Sequence, residues 1–283
     1  MSPLSKFSLE DRAGIRGLFF DIDDTLTTNG LLTTAAYSAV GRLKAAGFML
    51  VPITGRPAGW CDHMARMWPV DGVVGENGAF YFHHDPVHKK LVQRFLSTES
   101  NRVIEKKRCM EIAADILREV PGTALASDQA YREADIAIDF CEDVVSLSAG
   151  EAQRIKQLME AAGLNAKISS IHVNGWFGAY DKLSTTKLFM REIFNINLDE
   201  HKSEFAFIGD SPNDSPMFSY FPYSVGVANV SDFATGMMQL PAYVTDRRCG
   251  EGFIELADAL LGQADAQAIR LCAAEWQSDA VAK

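Results

Sequence analysis

Short apolar runs punctuate the chain, and most are followed by stretches whose apolar positions recur at helical spacing. Gly17–Phe20 is the first run, and it predicts a buried strand. Thr33 and Thr34 then offer a cap to a helix over Ala35–Ala46, with Gly47 as its stop. Phe48–Ile53 predicts a second strand. Pro52 gives no N–H to a sheet ladder, so this strand should bulge or end near it. Residues 58–67 predict another helix, closed by Pro69, and Val70–Val74 a third strand. This β-α-β-α-β order opens a doubly wound parallel sheet of the α/β class.

The pattern then changes. Phe80–Phe82 leads into His83, His84, Asp85, Pro86 and His88, a polar loop whose histidines read as surface groups rather than metal ligands. A helix over Arg102–Glu119, a strand over Ala134–Phe140 and a helix over Gly150–Ala162 follow, with extended segments over 166–174 and 175–181. Grouped in this way they predict an α+β unit inserted over residues 84–182, between core segments 1–83 and 183–283. The α/β rhythm resumes with a helix over Thr185–Phe194 and strands over Glu204–Ile208, Ser224–Ala228 and Tyr243–Thr245. A helix over Ile254–Leu261 and a helical tail from Asp265 complete the expectation.

Composition narrows the function classes. The 283 residues are 47% hydrophobic, enough for a large core, and carry a net charge of −10. Such a chain lacks the basic footprint of a nucleic-acid or anionic-membrane binder. It also repels phosphorylated ligands at long range, so a phosphate site would need local cations. The five cysteines form no CxxC pair and are odd in number, which argues against a zinc site or a disulfide framework and for a reducing, cytoplasmic setting. The polar N-terminus has no apolar signal core, and no stretch approaches a spanning helix. Oligomeric state has no signature in the sequence.

The candidate chemistry sits where the first strand ends, at Asp21, Asp23 and Asp24. Ligands of open α/β sheets collect at the carboxyl ends of strands. Three close acids repel one another unless a cation or proton sits among them. A hard divalent cation such as Mg²⁺, which takes oxygen ligands, suits the cluster. Alternatively, Asp-rich turns simply cap helices and bond their own backbone.

Later segments favour the chemical reading. Thr54-Gly55-Arg56, Lys187 and Gly209-Asp210-Ser211-Pro212-Asn213-Asp214 each stand after a strand or on a helix, in order. As a set with Asp21-x-Asp23, they resemble the haloacid dehalogenase superfamily of aspartate-nucleophile phosphatases. The closer resemblance is to its Cof-like branch (subfamily IIB), whose large α+β cap is inserted between the second and third motifs. Gly75-Glu76-Asn77-Gly78-Ala79, Val225–Asn229 and Val244-Thr245 with Gly252-Phe253 fit the same branch, so the resemblance spans nearly the whole chain.

The resemblance implies a Rossmann-like core and Mg²⁺-dependent hydrolysis of a small phosphorylated metabolite, especially a sugar phosphate. Asp21 would attack phosphorus and become an aspartyl phosphate. Asp23 would protonate the leaving oxygen and then deprotonate water. Asp21, the Asp23 carbonyl and Asp210 would hold the metal. Thr54, Gly55, Lys187 and Asn213 would bind phosphate, with Arg56, Asp214 and Asn77 in support. Position 24 departs from the branch's usual glycine. His172, Asn174, Trp176 and Tyr180 are cap residues able to contact a sugar, or equally to pack a cap sheet. The rival readings are a phosphomannomutase-like phosphotransferase, which must hold a second phosphate, and a non-catalytic phospho-ligand-binding protein.

Overall fold

The computed structural model describes residues 1–262; the helix expected from Asp265 lies outside the described residues. The chain builds a parallel sheet flanked by helices, with two antiparallel sheets attached. The strands of the parallel sheet are β1 (Ser2–Pro3), β2 (Gly17–Phe20), β3 (Met49–Pro52), β11 (Phe205–Gly209), β12 (Tyr223–Gly226) and β13 (Tyr243–Val244). Their spatial order is β1-β13-β12-β11-β2-β3. β3 ends at Pro52, where the missing N–H was expected to matter.

β2 is buried on both faces. Leu18 and Phe20 pack with Val40, Leu43 and Phe253, from helices α2 (Thr34–Ala45) and α9 (Cys249–Leu261). Phe19 faces the other way, against Phe189 of α6 (Lys182–Phe194) and Phe218 of α8 (Ser215–Tyr220). This two-sided burial is why the run lacks polar alternation.

After helix α3 (Ala58–Met67), strand β4 (Val73–Gly75) continues the parallel arrangement through a single bridge, Ile53 to Val74. It then pairs antiparallel with β5 (Phe80–Asp85), which pairs with β6 (Lys90–Phe95). The break expected between residues 83 and 84 therefore falls inside a strand. Phe80 and Phe82 pack on Cys61, Met64 and Val73, which ties the hairpin to the core. His83 and His84 are strand residues, and only His88 sits in the exposed turn.

The inserted unit is a four-stranded antiparallel sheet in the order β7-β8-β10-β9. Its strands are β7 (Ala124–Leu125), β8 (Asp135–Asp139), β9 (Asn165–Ile168) and β10 (His172–Trp176). Helices α4 (Glu99–Glu119) and α5 (Ala149–Ala161) cover it, burying Cys109, Ala113, Ile155 and Met159 on Ile136, Ile138 and Val173. Helix α6 starts at Lys182, so the other expected break, between 182 and 183, coincides with the first turn of a core helix. Among the described residues, no helix is long and apolar enough to cross a membrane.

Candidate active site

β2 and β11 are parallel neighbours, and Ile208 pairs with Phe20. Asp21 and Asp210 consequently emerge side by side at the carboxyl edge of the sheet. The Asp21 N–H donates to the Ile208 carbonyl at 2.9 Å. β3 flanks β2 on its other side and brings Thr54, Gly55 and Arg56 to the same edge. Carboxylate oxygens of Asp21, Asp210 and Asp214 lie within 4.8 Å of one another, and all three residues are buried.

Each acid is held by a definite partner. Thr25 Oγ1 donates to Asp210 Oδ1 at 3.3 Å, and Asn229 Nδ2 to Oδ2 at 3.2 Å. Asp214 turns its Oδ2 back to accept from the Asp210 N–H at 3.0 Å. Position 209 must be glycine for this fold-back, because a Cβ there would collide with the Asp214 carboxylate.

Among the described residues, one ammonium enters the cluster, and it belongs to Lys182. Its Nζ donates to Asp21 Oδ1 at 2.9 Å and to Asp214 Oδ1 at 2.8 Å, and the residue is 2% exposed. Lys187 was the expected cation, and the structure corrects that choice. Lys187 lies on the same helix but about 140° further round its axis. There it is part-exposed, bonding Asp199 at 2.6 Å and lying over the Tyr220 ring. The overlooked signal was electrostatic. A lysine in the first turn of a helix faces the positive end of the macrodipole. Lys182 sits there directly after the N-cap Asp181, a location that local helix physics disfavours.

The charges do not balance. Burial, then Asp214 and Asp23, outweigh Lys182 and push the Asp21 carboxyl up to about 7. Burial and the neighbouring Asp21 and Asp214 raise Asp210 well above the carboxylate range. Burial alone would lower Lys182, but Asp21 and Asp214 hold it above an ordinary lysine. Three buried carboxylates sharing one ammonium fit a hard divalent cation, which would offset their repulsion.

Thr54 is fully buried, and its Oγ1 accepts from the Arg56 N–H at 3.0 Å. Asn213 is also buried, its Oδ1 accepting from Ser211 Oγ at 2.8 Å. Asp23 is gripped by Arg56, whose Nε lies 2.9 and 3.0 Å from its two oxygens. The same guanidinium reaches Asp128 at 3.2 Å and Glu142 at 2.6 Å, both in the inserted unit. Glu142 also pairs with His172 Nε2 at 2.8 Å. Burial alone would raise Glu142, but His172 and Arg56 hold it down at about 2. Asn174 donates to Asp135, whereas Trp176 stacks on Tyr180, so of these four cap residues those two serve packing. Asp24 adopts φ 54°, the left-handed region that favours glycine and that Asp tolerates better than most residues.

A second buried contact fastens the inserted unit to the core, and sequence reasoning missed it. Glu76 is fully buried and accepts from the Ala58 N–H of the core and from the N–H groups of Glu133, Ala134 and Asp135. Burial, then Asp135, pushes its carboxyl up to about 7 against the pull of Arg132 and these donors. Arg132, itself buried, returns the contact by donating to the Gly55 carbonyl at 2.8 Å. It also pairs with Asp128 and Asp135. A glutamate just after a strand and an arginine just before one have no local pattern that pairs them.

Three kinds of comparison bear on this arrangement. The family model of haloacid dehalogenase-like hydrolases matches residues 18–119 and 178–246. No curated protein matches the chain. Among solved structures, a Thermoplasma acidophilum protein superposes with a TM-score of 0.64 at 20% identity, covering 87% of this chain and 98% of its own. A putative HAD/COF-like hydrolase from Plasmodium vivax gives 0.62 at 18% identity, covering 90% and 99%. A HAD subclass IIB sugar phosphatase gives 0.56 at 15% identity, covering 87% and 98%. The matched segments carry Asp21, Lys182 and Asp210 and take in helix α4 of the inserted unit, and the chain belongs to the haloacid dehalogenase-like hydrolase family.

Proposed function

We propose that the protein is a Mg²⁺-dependent phosphomonoester hydrolase acting on a small phosphorylated metabolite, a sugar phosphate in the first instance. The observation that carries this reading is Lys182 Nζ bridging Asp21 and Asp214 beside Asp210, all buried at one sheet edge. Similarity to a subclass IIB sugar phosphatase supports the substrate class.

Asp21 Oδ2, the oxygen not bonded to Lys182, attacks phosphorus. The new O–P bond forms as the ester O–P bond breaks, leaving an aspartyl phosphate. Asp23 gives its proton to the departing alkoxide. Water then attacks the aspartyl phosphate, Asp23 takes a proton from it, and inorganic phosphate leaves with the Asp21 carboxylate restored. Lys182 holds Asp21 in line and offsets charge on the transferring group. The Thr54 hydroxyl, the Gly55 N–H and Asn213 would donate to phosphoryl oxygens. Asp21, the Asp23 carbonyl and Asp210 would hold the cation, with Asp214 positioning Lys182. When bound, the cation supplies charge neutralisation between two anions. Arg56 holds Asp23 while pairing with Asp128 and Glu142, and so fixes the position of this acid relative to the cap. The inserted unit, reassigned to about residues 97–181, acts as the cap over the leaving group.

A mutase needs free cations for a second phosphate. Arg56, Arg132 and His172 are each already paired with carboxylates, which favours hydrolysis. The test is release of phosphate from p-nitrophenyl phosphate with Mg²⁺, its loss in EDTA, and its loss in Asp21→Asn with the fold retained. Full activity in chelator, or in Asp21→Asn, removes the reading.

A further inference from the structure

Asn77 occupies a site that folding alone does not explain. Its backbone is left-handed, at φ 54°, directly after Glu76 at φ 43°. Its side chain is 2% exposed, and among the described residues neither Nδ2 nor Oδ1 has a hydrogen-bond partner. Burying an unpaired carboxamide and straining the backbone both disfavour the folded state. Glycine would relieve both.

The surroundings suggest what the carboxamide is for. The Asn77 N–H donates to the Thr54 carbonyl at 3.0 Å, which seats the residue against the loop after β3. A Cβ built at Gly55 would lie 3.1 Å from Asn77 Nδ2 and 3.6 Å from Asn174 Oδ1. A core amide and a cap amide oxygen therefore converge over Gly55. Asn174 Nδ2 is anchored on Asp135 at 3.0 Å, which leaves its Oδ1 presented as an acceptor. One neighbour of Gly55 is Thr54, and the other is Arg56, which holds Asp23. The spot thus lies between the phosphoryl-binding loop and the group that protonates the leaving oxygen.

We propose that Asn77 and Asn174 form a hydroxyl-reading pair for the leaving alcohol, and so select a neutral polyol phosphate. The inference rests on the phosphatase reading above. An amide that both donates and accepts, facing a pure acceptor, suits a hydroxyl, which can do both. It does not suit a second carboxylate or phosphate. Arg56 is shared among Asp23, Asp128 and Glu142, and Arg132 between Asp128 and Asp135, so neither guanidinium is spare. Sites built to bond a substrate hydroxyl discriminate strongly against analogues lacking it, because the buried partner is then left unpaired.

The test compares wild type, Asn77→Gly, Asn77→Asp and Asn174→Ala on a panel of hexose and pentose monophosphates, a sugar bisphosphate and p-nitrophenyl phosphate. Thermal melts are recorded alongside. We expect wild type to prefer the monophosphates over the bisphosphate. The ratio of kcat/KM on its best polyol phosphate to that on p-nitrophenyl phosphate should fall tenfold or more in Asn77→Gly, with a Tm equal to or above wild type. Asn77→Asp, which tolerates the same backbone, and Asn174→Ala should lower the ratio too. An unchanged ratio in all three variants overturns the proposal, and the carboxamide then does no more than hold a water. Preference for the bisphosphate overturns it as well. Wild type inactive on every ester overturns the phosphatase reading and this inference with it.

Discussion

Lys182 Nζ stands 2.9 Å from Oδ1 of Asp21, although 161 residues separate the two in the chain. The contact closes the site, because it ties the first strand's end to the helix that follows the inserted unit. Removing the lysine should strand two carboxylates, whereas removing Lys187 should do nothing of the kind. Lys182→Met should lower kcat/KM on p-nitrophenyl phosphate by on the order of 10²–10³-fold. Lys187→Ala should stay within about twofold of wild type, since exposed pairs contribute little. Steady-state kinetics of the two variants decide the matter, and a severe loss in Lys187→Ala would reverse the assignment.

The unbalanced acids make a prediction about metal. Adding Mg²⁺ to metal-free protein should raise Tm, with about 2.7 kcal/mol gained at a hundredfold excess over Kd. Asp210→Asn should abolish this rise. It should also melt above metal-free wild type, because it removes one of three mutually repelling charges. Differential scanning calorimetry with and without Mg²⁺ measures both effects. A full Mg²⁺ shift in the variant would place the cation elsewhere.

Glu142 gives the acid limb of stability. Its carboxyl titrates at about 2 in the folded chain, against an ordinary 4.5. A depressed acid stabilises the fold above its unfolded value, and that contribution is lost as pH falls through the folded one. Wild type should therefore melt above Glu142→Gln at pH 7, and the gap should close between about pH 4.5 and 2. Melts across that range test it, and a gap independent of pH would fault the His172–Glu142–Arg56 chain.

Glu76→Gln keeps the shape but turns an amide nitrogen toward backbone donors. It should cost about 1–3 kcal/mol for donors left unmatched. Amide hydrogen exchange at Glu133, Ala134 and Asp135 should quicken, while that of β11 should not. Unchanged protection at all three would mean that the carboxylate is dispensable to the contact.

The doubly wound core was legible because strands buried on both faces are continuous apolar runs. Asp21, Thr54 and Asp210 stood out as polar residues directly after three such runs, and the fold brings them to one edge of the sheet. The hairpin of β5 and β6 was not, because His83 and His84 interrupt its apolar pattern. Lys187 was chosen over Lys182 because order along the chain does not report which way a helix faces. The network of Arg56, Glu142 and His172 joins three distant segments, and pairing across such distances leaves no local trace. Asn77 was visible only as part of a motif, since its unpaired amide is a property of the folded surroundings.

The clamp at Glu76 limits how the cap can move. One carboxylate binds three successive amides of the inserted unit, and Arg132 seals the same edge against the Gly55 carbonyl. Peeling that edge away would bare a charge and several amides together. A swing of the inserted unit must then pivot at residues 132–135, because that edge cannot lift without breaking all of these bonds at once.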